Sequence, residues 1–368
     1  MAIKDKNKLK IALAAGGTGG HLFPAVALAE ELNQHQEVQS FLITDHRCVK
    51  YLSDEFKNKR YVINIHLKMA GLWNKVKSIF QIASASAHSL LILYKEKPDL
   101  LVGFGGYPSF PAMLAAKLLS IPLVIHEQNC FMGRVNKFFT KDAEFIATSY
   151  QDTTNIPKCC LEKVILTGNL VRKSLNSVAQ YNANGEIFNI FVMGGSQGAS
   201  IFNKLIPETI TVIKTKNPQA RIRVTQQVSE DMIPAVESYY NKIGVECELS
   251  SFFKNMAEIY ARTHLMVARS GASTVAEVIR MAIPTIYVPY PHAKDDHQFF
   301  NAQSMVRRDC GWCYRQGEIN KLDLADLIIE LMDNRDILAK ISKNIANQGE
   351  KDSAKHLADT VLKIICSK

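Results

Sequence analysis

The sequence lacks a long apolar run. Its nearest approach, residues 79–94, is interrupted by Gln81, His88 and three serines. A helix that spans a bilayer needs roughly 20 predominantly apolar residues. We therefore expect no membrane-spanning helix. The apolar run at residues 11–15 is also too short for a signal peptide and is typical of a first β-strand.

The sequence also lacks the patterns of metal and nucleic-acid sites. Its eight cysteines are scattered, and the Cys-x-x-Cys pair Cys310 and Cys313 has no second pair at zinc-site spacing. We expect reduced thiols and no bound metal. The net charge is +9, but there is no arginine-rich block and no nucleic-acid-binding motif. An anionic lipid or a phosphorylated substrate is therefore favoured over nucleic acid as a partner.

Two common nucleotide-binding motifs are absent, although glycine-rich turns are present. Residues 16–21 (GGTGGH) and 194–198 (GGSQG) each follow an apolar run and precede a helical pattern. Neither turn has the G-x-G-x-x-G spacing, although Asp45 falls where that motif's acidic residue would lie, and neither has the Gly-Lys-Ser/Thr of a P-loop. A strand, a glycine turn and a helix together point backbone N–H groups at an anion. A tight turn without a ligand is the alternative for residues 16–21.

Short apolar runs alternate with helical patterns through both halves of the chain. The predicted strands are residues 9–15, 39–44, 61–65, 100–103, 123–126 and 145–148, then 190–193, 222–225, 245–249, 265–268, 285–288 and 311–314. This alternation predicts an α/β fold with two parallel sheets. The amphipathic segment 354–365 either caps the second domain or crosses back to the first.

Further polar residues follow the predicted strands. A third glycine turn (residues 103–108) and the tetrad 126–129 (HEQN) end neighbouring strands of the first half, where ligands of open α/β sheets collect. In the second half, residues 269–274 (RSGAST) precede a helix that carries Glu277. That turn offers another anion cradle, and Glu277 suits the hydroxyls of a ribose, with a helix-capping role as the alternative. Asp295 and Asp296 have no third metal ligand at a fitting spacing.

Seven of these stretches, in order, resemble one family. They are GGTGGHLFPAVALAEEL, GFGGYPS, IHEQN, TGNLVR, MGGSQGA, RSGASTVAEV and DDHQxxNA. They are similar to the MurG family of peptidoglycan N-acetylglucosaminyltransferases. The resemblance implies a GT-B fold, in which two Rossmann-like domains face a central cleft. It also implies an acceptor- and membrane-associating domain at residues 1–167 with 353–368, and a UDP-GlcNAc-binding domain at residues 168–352.

The activity implied by the resemblance is an inverting transfer. GlcNAc would move from UDP-GlcNAc to the 4-hydroxyl of MurNAc in undecaprenyl-linked lipid I, which gives lipid II for cell-wall growth and division. No cofactor is implied, while stimulation by a divalent ion stays open. The location implied is the cytoplasmic face of the inner membrane, as a peripheral protein. Its partners there would be an anionic membrane surface and, as an open class, other cell-wall synthesis proteins.

Motif position also assigns candidate site residues. His21 is the first choice for the general base because imidazole titrates near neutral pH, and Glu127 is the second. Either residue could instead position a ligand. The candidate substrate-binding residues are Thr18, Gly19, Gly20, Tyr107, Asn129, Arg172, Ser196, Phe253, Ala272, Ser273, Thr274, Glu277, His297 and Gln298.

Two departures from the family pattern and two competing functions remain. Leu170 stands where the family usually has proline, and Trp73 stands where relatives often have a basic residue. Trp73, Ile79 and Phe80, with lysines 68, 75 and 77, form a candidate membrane-contacting patch, whose alternative is an ordinary amphipathic helix. The competing functions are another GT-B enzyme, such as a UDP-GlcNAc 2-epimerase, and a non-enzymatic nucleotide-sugar-binding regulator.

Overall fold

In a computed structural model, the structure describes residues 8–52, 56–66, 72–171, 175, 181–194, 199–348 and 352–366. The chain divides into two compact units. Unit 1 is Met1–Arg172 with Glu350–Lys368, and unit 2 is Lys173–Gly349. The functions assigned to the two predicted domains stay predictions.

The described part of unit 1 is built on a seven-stranded sheet. The strands are β1 (Leu9–Ala14), β2 (Val38–Asp45), β3 (Lys59–Ile63), β4 (Leu100–Gly103), β5 (Leu123–Glu127), β6 (Ala143–Thr148) and β7 (Val164–Leu166). They pair in parallel in the order β3-β2-β1-β4-β5-β6-β7. The order reverses beside β1, which is the topological switch point of an open α/β sheet.

Helices cover both faces of this sheet. They are α1 (Gly19–Leu32), α2 (His46–Val49), α3 (Leu72–Glu96), α4 (Phe110–Leu118) and α5 (Arg134–Phe139). Side chains of a strand alternate between its faces, so β1 contributes Ile11 and Leu13 to one buried cluster and Ala12 and Ala14 to the other. Such two-sided burial explains why these strands are continuous apolar runs.

The described part of unit 2 repeats this arrangement with six strands. They are β8 (Phe188–Met193), β9 (Ile222–Gln227), β10 (Glu246–Ser250), β11 (Leu265–Ala268), β12 (Thr285–Tyr287) and β13 (Trp312–Cys313). The order β10-β9-β8-β11-β12-β13 is again wholly parallel. The helices are α6 (Phe202–Lys216), α7 (Ile233–Lys242), α8 (Met256–Arg262), α9 (Ala272–Met281), α10 (His297–Val306), α11 (Lys321–Asp333) and α12 (Arg335–Ala346). The predicted α/β class with two Rossmann-like sheets is confirmed.

The last helix, α13 (Ser353–Cys366), belongs to unit 1. Its buried residues Leu357, Ala358 and Val361 share one core cluster with Leu22 and Leu28 of α1. Of the two placements predicted for this amphipathic segment, the return to the first domain is therefore confirmed.

Helix α3 differs from the expectation about membrane spans. By length and composition alone, its segment Val76–Glu96 could cross a membrane. The mean hydropathy of its most apolar part is 1.3, and 28% of that part is buried. The mean hydropathy is high because two faces of the helix are apolar. Ala85, Ile92 and Leu93 lie in the core of unit 1, whereas Ile79 and Phe80 are 66% and 73% exposed.

Element ends differ from the predictions by a few residues. The helical pattern after the first glycine turn begins inside that turn, at Gly19, because the N–H groups of His21 and Leu22 already bond to the carbonyl of Thr18. The strand predicted at residues 61–65 lies at 59–63, since it pairs with β2 from Phe41↔Lys59 to Asp45↔Ile63. The short helices α2 and α5 were not predicted, because four to six residues carry no clear periodicity.

Candidate functional site

In unit 1, candidate residues gather at the carboxyl ends of β1, β4 and β5. Thr18, which is exposed and extended, precedes α1, and Gly19 and Gly20 form the first turn of that helix. The positive end of the α1 dipole therefore lies at the glycine-rich loop. Arg172, a candidate phosphate contact, lies outside the described residues.

Asp45 at the end of β2 anchors this loop. Its fully buried carboxylate accepts the N–H of Gly17 at 3.0 Å and the Nε–H of Arg47 at 2.6 Å. The guanidinium of Arg47 lies 4.8 Å from the ring centroid of Tyr107. Its Nη2 atom is buried without a hydrogen-bond partner among the described residues. Asp45 thus holds a loop and a cation, rather than the ribose that a dinucleotide fingerprint would place there.

Two glycines let the loops at this edge approach each other closely. A Cβ atom on Gly16 would lie 2.7 Å from Cβ of Pro108. A Cβ atom on Gly106, whose φ is +73°, would lie 2.9 Å from Cδ2 and 3.3 Å from Nε2 of His21. A side chain at either position would push the two loops apart, which explains glycine there.

Glu127, the second candidate base, holds its own loop in place. Its Oε1 accepts the backbone N–H of Asn129 at 3.0 Å and the side-chain amide of Asn129 at 3.2 Å. Its Oε2 accepts the N–H of Gly133 at 3.0 Å and the Nδ2 of Asn136 at 2.8 Å. Both oxygens of this 1% exposed carboxylate are therefore engaged. This arrangement favours the positioning role that the sequence left open for Glu127, and it also orients the candidate residue Asn129.

His21 is partly exposed and connects to a buried neighbour. Its Nδ1 lies 2.9 Å from Oε1 of Gln128, whose Nε2 lies 2.8 Å from Nδ1 of His126. The Nε2 of His126 lies 3.2 Å from the carbonyl oxygen of Gly168. Complete burial lowers the pKa of His126 to about 4, so this ring is neutral at pH 7.

In unit 2, the first turn of α9 lies at the carboxyl end of β11. Gly271 is extended and precedes the helix, so Ala272, Ser273 and Thr274 are helical rather than in a loop. The N–H groups of a first turn have no partner within the helix, and the helix dipole is positive at that end. The turn can therefore hold a phosphate group. Ser196, a further candidate, lies outside the described residues.

Glu277 lies in the second turn of α9 and is 6% exposed. One of its oxygens accepts the hydroxyl hydrogen of the buried Tyr260 at 2.5 Å. Tyr260 comes from α8 and stacks edge-on against Phe191 of β8. The tyrosine fixes the direction of the carboxylate, as binding of a ribose diol would require.

The loops around α9 are tied together. The hydroxyl of Ser270 donates to the carbonyl of Gln298 at 2.8 Å, and Oε1 of Gln298 accepts the N–H of Tyr290 at 3.0 Å. Arg269 donates to the carbonyls of Val288 and Pro289, both at 2.9 Å. The side-chain oxygen of Gln298 is thus engaged, which fixes the orientation of its amide group.

Other candidates of unit 2 lie on neighbouring loops. Phe253 is buried against Phe191 after β10, where its backbone rather than its ring can meet a base. His297 begins α10, and its Nδ1 lies 2.7 Å from the carbonyl of Lys294. Asp296 pairs with Arg315 at 2.7 Å. Within the described ranges, no group of three or more histidine, cysteine or acidic side chains could hold a metal ion.

Sequence reasoning missed three supporting residues. Arg47 follows the end of β2, which is the neighbour of β1 in the sheet. That position at the carboxyl edge of the sheet is the signal that could have identified it. Tyr260 lies in a helix with no motif, so only the fold brings it to Glu277. His126 stands within the HEQN stretch, but its burial behind Gln128 is not visible in the sequence.

The chain matches both domains of one enzyme family. Residues 11–148 match the glycosyltransferase family 28 N-terminal domain, and residues 189–357 match the family 28 C-terminal domain. It is 39% identical to the UDP-N-acetylglucosamine--N-acetylmuramyl-(pentapeptide) pyrophosphoryl-undecaprenol N-acetylglucosamine transferase of Rickettsia canadensis, over 97% of this chain and 99% of the relative. The enzyme of the same name from Rickettsia bellii is also 39% identical, with the same coverage.

Solved structures agree with this family. The crystal structure of Acinetobacter baumannii MurG is 27% identical, has a TM-score of 0.77, and covers 97% of this chain and 99% of its own. A UDP-N-acetylglucosamine 2-epimerase has a TM-score of 0.68 at 15% identity, covers 98% of each chain, and therefore shares the fold alone. The 39% identity over nearly the whole chain and the two matched domains establish that this chain belongs to glycosyltransferase family 28, among the N-acetylglucosamine transferases that include MurG.

Proposed function

We propose that this protein transfers GlcNAc from UDP-GlcNAc to the 4-hydroxyl of MurNAc in lipid I, with inversion, and so forms lipid II. The observation that carries the proposal is the 39% identity, over nearly the whole chain, to relatives named for this transfer. Inversion requires one direct displacement. The acceptor hydroxyl loses its proton, its oxygen attacks C1 of GlcNAc, and the C1–O bond to the diphosphate breaks with its electron pair going to UDP.

Unit 1 offers groups suited to the acceptor. His21 stands at the first turn of α1 with a partly exposed ring, and Glu127 and Asn129 shape the adjacent loop. Arg47 and the positive end of α1 supply positive charge for the diphosphate of lipid I. A general base in such a position contributes about 10²–10⁴-fold to a rate.

Unit 2 offers groups suited to the donor. The first turn of α9 suits the diphosphate of UDP-GlcNAc, and Glu277 suits the ribose hydroxyls. Gln298 is held where its amide can donate to the sugar, and the backbone near Phe253 suits the uracil. These groups stabilise charge on the leaving UDP without a metal ion, although a stimulatory divalent ion remains open.

A transfer assay tests this proposal. The full chain is incubated with a lipid I analogue and radiolabelled UDP-GlcNAc or UDP-GalNAc, with and without EDTA. We expect labelled lipid II from UDP-GlcNAc, much less product from UDP-GalNAc, and activity that survives EDTA. Epimerised UDP-sugar would instead support an epimerase, and tight UDP-GlcNAc binding without turnover would support a binding regulator.

We further propose that α3 rests on an anionic membrane surface. An exposed apolar stripe formed by Val76, Ile79, Phe80, Leu91 and Tyr94 recurs on one side of this helix. The helix extends for roughly 37 Å at 1.5 Å per residue. Since its opposite side is part of the core of unit 1, a peripheral position fits better than a spanning one. The exposed Lys77 adds positive charge beside the stripe, whereas Lys68 and the side chains of Trp73 and Lys75 lie outside the described part.

Vesicle co-sedimentation tests the membrane proposal. The double variant Ile79→Ser, Phe80→Ser should pellet less with vesicles that contain anionic lipid, while its activity on a short-chain, soluble acceptor is unchanged. Leu322→Ser is the matched control, because Leu322 is 53% exposed on α11 of unit 2. Equal pelleting of the double variant and the wild type would contradict the role of the stripe.

A further inference from the structure

A line of hydrogen bonds runs from a buried backbone carbonyl to His21. It passes from Gly168 to His126, then to Gln128, and then to His21, with donor–acceptor distances of 3.2, 2.8 and 2.9 Å. His126 and Gln128 are fully buried, whereas His21 is partly exposed. Only the last group in the line can therefore meet a ligand.

The direction of each hydrogen bond follows from chemistry. A carbonyl oxygen only accepts, so Nε2 of His126 must carry the hydrogen that points to Gly168. A neutral imidazole has one N–H, and therefore Nδ1 of His126 is an acceptor. The group of Gln128 that faces it must then be the amide nitrogen, which also donates to the backbone carbonyl of His126 at 2.8 Å.

This orientation of Gln128 leaves its carbonyl oxygen facing His21. Since Oε1 only accepts, Nδ1 of His21 must carry a hydrogen. In the neutral ring the lone pair is then on Nε2. That atom lies on the ring edge next to Gly106, where the missing Cβ leaves space.

We propose that His126 and Gln128 are positioning residues that hold His21 in the Nδ1–H tautomer, so that Nε2 receives the proton of the acceptor hydroxyl. This inference rests on the proposed function of His21 as the base. In the transfer step, Nε2 binds the proton as the acceptor oxygen bonds to C1 of GlcNAc and UDP departs with the electron pair. The resulting imidazolium still donates its Nδ1–H to Gln128. A reversed Gln128 amide would place its oxygen against the Nδ1 lone pair of His126, which disfavours the opposite tautomer.

Histidine ¹⁵N chemical shifts test the tautomer without any need for activity. The full chain is labelled with ¹⁵N-histidine, and the signals of His21 are assigned from their loss in His21→Ala. In the neutral form of the ring, we expect a protonated Nδ1 and an unprotonated Nε2. A proton on Nε2 would overturn the inference. If the tautomer is as expected but His21→Ala keeps full activity, the proposed base is wrong while the tautomer assignment stands.

Substitutions then test the cause. Gln128→Leu removes the acceptor, so both tautomers of His21 should be populated, and kcat should fall by about 10–100-fold while KM for UDP-GlcNAc stays within about two-fold. Should Gln128→Leu fail to fold, Gln128→Asn serves in its place, because its shorter side chain cannot reach His21.

The matched control is Gln226→Leu, which removes a buried glutamine of unit 2 that accepts from Tyr240 at 2.7 Å. It should cost stability and leave the shifts of His21 unchanged. An unaltered Nδ1–H tautomer in Gln128→Leu and Gln128→Asn would show that Gln128 does not set it, and would overturn the inference.

Discussion

The two units hold their candidate residues in different ways. In unit 1, side chains are held by hydrogen bonds from their surroundings, as in the two backbone and two side-chain donors around Glu127 and the line from His126 to His21. In unit 2, the groups proposed to hold the diphosphate lie at the start of α9, and side chains such as Ser270 and Arg269 tie the surrounding loops together. We therefore propose that unit 1 controls one proton and that unit 2 holds negative charge.

This contrast agrees with the demands of glycosyl transfer. Proton removal depends on one atom with a fixed tautomer and direction, whereas a diphosphate is bound well by several preorganised dipoles. Substitutions of His21 and of the line that holds it should therefore change kcat and its pH dependence. Substitutions in unit 2 should change the KM for UDP-GlcNAc.

The largest effect is expected from His21→Ala. Loss of the base should lower kcat by about 10²–10⁴-fold at neutral pH, with little change in UDP-GlcNAc affinity. Steady-state kinetics with a lipid I analogue and calorimetric titration with UDP measure the two quantities. A near wild-type kcat for His21→Ala would contradict the proposed proton-controlling role of unit 1. The contrast between the two units would then also be contradicted.

The next largest effect concerns the stability of unit 1 at low pH. Burial holds the pKa of His126 at about 4, below the ordinary 6.5, so between these values the unfolded chain binds a proton that the folded chain does not. The contribution of the neutral His126 ring to the free energy of unfolding is thus fully present above pH 6.5. It decreases as the pH falls, by about 3 kcal/mol at pH 4. His126→Phe should flatten this dependence in urea unfolding.

A reporter for each unit makes that measurement specific. The chain has two tryptophans, Trp73 in unit 1 and Trp312 in unit 2. A Trp312→Phe background therefore leaves a fluorophore in unit 1 alone, and a Trp73→Phe background leaves one in unit 2 alone. Burial also lowers the pKa of His264 in unit 2. His264→Phe should therefore reduce the loss of stability of unit 2 at low pH and leave the loss of stability of unit 1 unchanged. Parallel pH profiles for His126→Phe and the wild type would contradict the prediction.

Much of this contrast could not be predicted from the sequence. Strand and helix positions followed from apolar runs and periodicity, and the return of α13 followed in part from its amphipathic face. The glycine turns marked the correct sheet edges because parallel strands end together there. Burial of His126 and the contact from Tyr260 to Glu277 depend on packing between segments distant along the chain, which no local pattern encodes.

A smaller effect is expected from Glu127→Gln. The new amide nitrogen would face N–H donors such as those of Asn129 and Gly133, so the free energy of unfolding of unit 1 should fall by about 2 kcal/mol. Thermal unfolding measures the loss, and Asp142→Asn, at a surface ion pair with Lys117, is the control that should change little. The pH–rate profile should keep its wild-type shape. A profile that lost its acidic limb, the rise in rate as a base deprotonates, would instead make Glu127 the base.

The smallest effect is expected from Glu277→Gln in unit 2. The amide keeps the size of the side chain and can still bond to Tyr260, but it loses the charge that strengthens hydrogen bonds to ribose hydroxyls. KM for UDP-GlcNAc should rise about 10-fold while kcat is unchanged. The Kd values of UDP and of 2′,3′-dideoxy-UDP for the wild type and the variant give the four free energies of a double-mutant cycle. If Glu277 holds the ribose, the preference for UDP over the dideoxy analogue should nearly vanish in the variant, whereas an equal preference in both proteins would contradict a role for Glu277 in ribose binding.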